Sequence, residues 1–247
     1  MGDAATGRRP TPFRPSFATV MAGLMAGAVF GGFGMTYWGP LVNGSFPAAP
    51  PVVHLHGLVF TAWILLLLAQ PLLVAVGKVA VHRSVGTFGI ALATLVIATG
   101  LLITLLGAAG DRDTPAGNYY DGMYLGCMAV SGFGLLFTLA IRRVRQPAVH
   151  RRLMLLATLP LLPPAIHRLY MVPLQLAYFP VLPMYLTLDA LALAILLEEW
   201  RSSGRLGLPT LLGVGWLLLQ QLAHPFVVNA AWFAAWTYDV SGLVHYR

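Results

Sequence analysis

Charge is what this chain has least of. Asp, Glu, Lys and Arg together make 9% of its 247 residues, against 58% that are hydrophobic. A water-soluble domain needs roughly 25% charged residues to cover its surface. A globule in water is therefore excluded, and lipid must be the main solvent. Cysteine is nearly absent. The single Cys127 excludes an internal disulfide framework and any multi-cysteine metal site. Also missing are Lys/Arg-rich runs interleaved with exposed aromatics, so the net charge of +7 does not mark a nucleic-acid surface. There is no internal repeat and no low-complexity segment.

What the chain has instead is apolar runs of membrane length. About 20 apolar residues cross ~30 Å of hydrocarbon. Seven segments qualify, roughly 17–38, 54–76, 83–106, 120–141, 150–171, 175–197 and 208–236. The first is longer than the ~7–15 residues of a cleaved signal's apolar region, so it reads as a retained span even though Arg8 and Arg9 precede it. The fold expected is all-α: a polytopic membrane helix bundle with seven transmembrane helices. It forms one domain over 17–240, between a short basic tail, 1–16, and an exposed tail, 241–247.

Basic residues cluster in alternate loops. Arg8, Arg9 and Arg14 precede the first span, and Lys78 and Arg83 flank the second loop. Arg142, Arg143, Arg145, Arg151 and Arg152 crowd the fourth, Arg201 and Arg205 the sixth. The other loops hold only Arg112, between Asp111 and Asp113. By the positive-inside rule the N-terminus is cytoplasmic and the C-terminus outside.

Glycines suggest close helix packing. Gly23, Gly27 and Gly31 recur every fourth residue, and Gly86, Gly89, Ala93 and Gly100, then Gly122 and Gly126, play the same part further on. Prolines mark irregular helix. Pro160, Pro163 and Pro164 fall inside the fifth segment, Pro180 and Pro183 in the sixth and Pro225 in the seventh. Each lacks a backbone donor, and a membrane tolerates such breaks only where protein or a water-filled cavity satisfies the freed carbonyls.

Polar groups gather toward the outer ends of these broken segments. His54 and His56 open the second span, and His167, beside Arg168, ends the fifth. His224 lies in the outer half of the seventh, and Asp121 caps the fourth among Tyr119, Tyr120 and Tyr124. His56, Trp63 and Gln70 share one helical face. Gln220, Gln221 and His224 form a polar stripe. His54 and His56 are about 200° apart on a helix. They converge only if His54 precedes the first turn, in extended chain favoured by Pro50 and Pro51. Imidazoles are common ligands for zinc, iron and copper. The set His56, His167 and His224, with His54 or Asp121 added, therefore reads as a metal ion or haem b site near the outer face. The plainer reading is interfacial histidines bonded to carbonyls freed by proline.

A second pair lies at the inner boundary. His82 and His150 each start a span and each precede an arginine, so they read either as headgroup anchors or as ligands of a second haem. Asp189 is an acid within the sixth span, suited to proton transfer, to an arginine pair or to an interhelical hydrogen bond. Glu198, Glu199 and Arg201 read as a solvated helix end. Trp38, Trp63, Trp200, Trp232 and Trp236 read as interfacial belt residues, Cys127 and the methionines as core, and His245 as part of an exposed tail.

The stretches "HLHGLVFTAWILLLLAQPLLVAVGKVAVHRSVG" and "HRRLMLLATLPLLPPAIHRL" resemble an uncharacterised bacterial inner-membrane family, most clearly over 52–100 and 147–170. Its order of His-x-His-Gly, Trp and Gln, His-Arg-x-x-Gly and His-Arg-x-Leu-Met is present throughout. The resemblance implies a multi-pass protein of the bacterial cytoplasmic membrane, and it brings no activity with it. More distantly, "HRRLM" is similar to a motif of small membrane proteins that assist haem–copper oxidase assembly, and histidines at both faces resemble di-haem b-type cytochromes.

Three functions stay open at this level. The first is a membrane metalloprotein doing redox, electron-transfer or metal-assisted chemistry on a lipid-soluble substrate. The second is a transporter using the broken fifth and seventh helices. The third is a non-catalytic assembly factor or subunit of a respiratory complex. The partners expected are the lipid bilayer and a membrane protein or second copy, with no nucleic acid.

Overall fold

The structure, a computed structural model, describes residues 15–110, 119–177 and 179–244. Arg8, Arg9 and Arg14, the loop residues Asp111, Arg112 and Asp113, and His245 lie outside the described residues. Within them the chain forms ten α-helices and no strand: α1 Phe17–Phe33, α2 Gly39–Val42, α3 Pro51–Ala75, α4 Val79–Gly110, α5 Tyr119–Arg142, α6 Pro147–Thr158, α7 Pro163–Leu174, α8 Val181–Ser203, α9 Leu208–Val228 and α10 Ala231–Ser241. Six rods are long and apolar enough to cross a membrane: 17–42, α3, α4, α5, α8 and α9. The pair α6–α7, bent by 50°, makes a seventh if counted as one span.

Local chemistry explains the helix ends. Ser16 caps α1, its hydroxyl accepting the Thr19 N–H at 3.2 Å. Prolines sit in the first turn of α3, α6, α7 and α9, where the missing N–H costs nothing and the ring presets helical φ. Gly204, at φ 71°, takes the left-handed turn that ends α8.

Four boundaries differ from expectation. The sixth segment, expected over 175–197 and broken by proline, starts only at Val181, with Pro180 as its N-cap and Pro183 in the first turn of a continuous helix. The second span starts at Pro51, so His54 and His56 are both helical and project to opposite sides. The extended chain that would have let them share one ion does not form, because proline at the first helical position favours starting the helix there. The last segment, 208–236, is two helices. α9 runs through Pro225 to Val228, and the break falls at Asn229 and Ala230, where Asn229 Nδ2 donates to the Pro225 carbonyl at 2.7 Å. The first span passes through a π-helical turn, Gly34–Trp38, before α2.

The fifth apolar segment breaks where its prolines predict. A 3₁₀ turn, Leu159–Leu161, carries Pro160, and Pro163 and Pro164 open α7. Pro163 cannot bond the Leu159 carbonyl, which accepts the Leu162 N–H instead at 3.1 Å.

Around this break lies the core. Trp63, expected in an interfacial belt, is 1% exposed at the centre of the bundle. Its ring meets Phe133 and Phe137 edge-on at 4.8 and 5.7 Å, and its indole N–H donates to Thr158 Oγ1 at 3.3 Å. The glycine expectation holds in part: a Cβ on Gly31 would meet Leu169 at 3.2 Å and one on Gly100 would meet Val130 at 3.1 Å. Among the described residues nothing lies within 4 Å of a Cβ placed on Gly23 or Gly27, whereas one on Gly32 would collide with the Ala165 carbonyl oxygen. Close approach of α1 and α7 is therefore set by Gly32. Further on, Gly89 and Gly126 do pack tightly, against Leu66 and Thr104.

Candidate functional site

The bundle has an arginine-rich end, where α5, α8 and their neighbours finish in Arg142, Arg143, Arg151, Arg152 and Arg201, and an aromatic end closed by α10. At the aromatic end, Asp121 stands in the first turn of α5, where a helix N-terminus favours an anion. His224 projects from α9 and is 5% exposed. Its Nε2 lies 2.8 Å from Asp121 Oδ1. The approach is not in line with the ring N–H, so this is a close imidazole–carboxylate contact without a linear hydrogen bond.

Tyrosines box the imidazole. Tyr124 stacks on it with ring centroids 5.0 Å apart and donates its hydroxyl to the Gln220 carbonyl at 2.7 Å. Tyr185 of α8 meets it edge-on at 5.8 Å, and its buried hydroxyl has no partner among the described residues. Phe233 of α10 packs on Tyr124 at 6.2 Å. Such a box holds the ring in place and buries the imidazole, while the Asp121 side chain keeps 21% of its surface exposed.

Tyr124 also forms one wall of a groove of about 480 Å³ between α5, α9 and α10. Trp216, Gln220, Trp232, Phe233 and Trp236 complete its polar and aromatic lining. Its rim residues Leu219, Trp232 and Trp236 are exposed on the apolar flank of the bundle, so the groove opens sideways.

The other expected ligands are engaged elsewhere. His54 Nδ1 lies 3.0 Å from the Tyr37 hydroxyl, a contact aimed by the π-helical turn, with Phe46 alongside at 5.7 Å. His56 packs on Phe60 at 4.2 Å and faces the Thr99 backbone on α4. His167 Nδ1 donates to the Pro163 carbonyl at 3.2 Å and its ring meets Phe179 at 4.9 Å. Arg168, beside it, ties α7 to α1 by donating to Thr36 Oγ1 at 3.0 Å and lying 4.5 Å above the Phe33 ring.

These positions test the metal expectation by donor set. Among the described residues no group of three or more His, Cys, Asp or Glu side chains could hold one metal ion. The structure brings Asp121 and His224 together but does not add His54, His56 or His167 to them. His167 instead satisfies a carbonyl in the proline-rich turn, as the plainer reading of the sequence has it.

At the arginine-rich end His82 of α4 faces the Gln70 backbone and lies near His150 of α6. His150 Nδ1 donates to the Ala140 carbonyl at 2.9 Å. His82 Nδ1 and both amide atoms of Gln70 are buried without partners among the described residues. Two imidazoles are a donor type that suits haem or a metal ion, though they supply only two ligands.

Glu198 and Glu199 do not form a solvated helix end. Arg152, 4% exposed, donates to Glu198 at 2.7 Å, Glu199 at 3.2 Å and Ser202 at 2.8 Å, and Arg151 holds Glu198 at 2.9 Å. The two arginines after His150 are thus bound to α8 rather than facing headgroups. Asp189 accepts from Gln221 Nε2 at 2.8 Å, an interhelical hydrogen bond between α8 and α9.

Sequence reasoning missed Tyr185, Trp216 and the groove. A tyrosine in an apolar helix carries no local signal, and the groove exists only because α10 folds back against α4, α5 and α9. Compared with protein-family models, with curated proteins and with solved structures, the chain matches none of them.

Proposed function

We propose that this chain is a seven-span protein of the bacterial cytoplasmic membrane, with its N-terminus in the cytoplasm and its C-terminus outside. It binds a lipid-soluble molecule in the groove and exchanges a proton with it through Asp121 and His224. The observation that carries this reading is the buried imidazole 2.8 Å from a carboxylate, separated from a side-opening apolar groove by the ring of Tyr124. Histidine is suited to such transfer at neutral pH, and the carboxylate fixes its orientation and tautomer. The orientation rests on the basic loops, and the seven-span count treats α6 and α7 as one broken helix.

A shared metal ion on His54, His56, His167, His224 and Asp121 is not part of this reading, because the donors do not converge. His82 and His150 stay as candidate ligands of a haem b at the arginine-rich end, where bound haem would supply electron transfer. Transport is favoured by one separate observation, the 50° bend between α6 and α7, since broken helices line transporter pathways.

One preparation tests all three. In purified protein, solvent extraction with mass spectrometry is expected to find a lipid-soluble molecule in near-stoichiometric amount. A pH-indicator dye is expected to show proton release or uptake when that extract is added back, and Asp121→Asn and His224→Gln are expected to abolish it. Equal proton exchange in both variants would overturn the proposal. A Soret band lost in His82→Ala would establish the haem, and solute counterflow in proteoliposomes would favour transport.

A further inference from the structure

We propose that a second cleft, between the start of α1 and the end of α8, holds one anionic phospholipid, its phosphate on Arg201 and the first part of an acyl chain along α8. The cleft lies at the arginine-rich end and is lined by Phe17, Ala194, Leu197, Glu198, Arg201 and Ser202. Its volume of about 480 Å³ falls within the range of small-molecule sites, roughly 300–1,000 Å³. It shares no lining residue with the groove beside Tyr124, so it stands apart from proton exchange at Asp121 and His224.

Charge selects the headgroup. Two of the three polar side chains in the lining are already engaged. Arg151 and Arg152 hold the two Glu198 oxygens at 2.9 and 2.7 Å. The Ser202 hydroxyl accepts from Arg152 at 2.8 Å and donates to the Glu199 carbonyl at 3.2 Å. Arg201 is exposed and makes no ion pair among the described residues. The guanidiniums of Arg151, Arg152 and Arg201 thus outnumber the carboxylates of Glu198 and Glu199, and the positive charge left over is the one at the cleft. A guanidinium presents its donors as a planar fork that matches a phosphate. A zwitterionic headgroup would bring its own cation toward the same arginine.

Shape selects the tail. Arg201 stands in the last turn of α8, and Leu197 and Ala194 lie four and seven residues before it, on the same helical face. They are about 6 and about 10 Å further along the helix. Phe17, the first residue of α1, forms the facing wall. Leu193 and Leu197 are exposed on the flank, so the apolar strip continues away from the charge. A cation at the rim with an apolar strip leading away from it fits an amphiphile, whereas a soluble phosphate would leave the strip uncovered.

The test is native mass spectrometry of the full chain, delipidated in detergent and titrated with phosphatidylglycerol, phosphatidylcholine or glycerol phosphate. The first phosphatidylglycerol is expected to bind about tenfold more tightly than phosphatidylcholine, as a charge-assisted contact allows, and glycerol phosphate is expected not to bind. Arg201→Gln is expected to bring the two lipids within about twofold. Arg143→Gln removes an exposed cation from the same end but outside the cleft, and is expected to leave the preference intact.

Equal affinities for the two lipids in the unaltered protein, or a preference that survives Arg201→Gln, would overturn the site. A preference lost as fully in Arg143→Gln would mean general attraction to a basic surface and would overturn it too. Glycerol phosphate binding as tightly as phosphatidylglycerol would overturn the lipid and leave a soluble phosphate. The comparison of the two lipids needs no variant, so poor folding of Arg201→Gln cannot shield the proposal.

Discussion

The two ends of the bundle treat charge in opposite ways. At the arginine-rich end, Arg151 and Arg152 meet Glu198, Glu199 and Ser202, and charges of the chain cancel one another across α6 and α8. At the aromatic end a single carboxylate meets a single imidazole off-line, while Tyr185 Oη and Gln220 Oε1 have no partners among the described residues. The first arrangement ties α6 to α8 by several charge-assisted contacts, with Arg151 Nε and Glu199 Oε2 left without partners among the described residues. The second is incomplete, and an incomplete buried polar set is what a ligand or a proton can complete. Burial alone does not separate them, since Arg152 and His224 are almost equally hidden. The number of partners does.

The largest effect on folding belongs to the charge-paired end. Arg152→Met leaves Glu198 and Glu199 with too few donors, and breaking a buried pair costs about 3–5 kcal/mol. Denaturant unfolding in mixed micelles is expected to show that loss, with partial recovery when Glu198→Gln and Glu199→Gln are added. Next comes the contact that seats α7 on α1. Gly32→Ala drives a methyl into the Ala165 carbonyl, and overpacking of this kind costs about 1–3 kcal/mol; the same assay reads it.

The aromatic end is expected to show the reverse balance. Asp121→Asn should change unfolding by only about 1 kcal/mol while abolishing proton exchange measured with the indicator dye. A large loss of stability with exchange retained would mean that the pair is structural, and the contrast between the ends would collapse. The smallest effect is expected from Gly27→Ala. Nothing among the described residues faces that position, so unfolding should shift by no more than about 0.5 kcal/mol.

Much of the architecture was readable from local rules. Apolar run length marks the spans, because lipid cannot satisfy an open backbone. Pro160, Pro163 and Pro164 mark the broken helix, because each removes a donor. The pairing of His224 with Asp121 was within reach, since both fall at one end of their helices and buried polar groups need partners. The three-histidine site was not there to be read. Similar depth along separate helices says nothing about rotation around each helix axis, and rotation sends His54 toward Tyr37, His56 toward Phe60 and His167 toward Phe179.

By itself, then, the sequence determined the helical class, the approximate helices long and apolar enough to cross a membrane, and the position of the break between α6 and α7. These follow from composition, length and the chemistry of proline, and they need no knowledge of neighbours. Only the tertiary structure decided which polar groups meet. It locked Arg152 between two glutamates, separated the histidines expected together, and made a groove by folding α10 back on α5 and α9. Side-chain direction depends on helix phase and packing partner, quantities that a linear pattern of apolar residues does not encode.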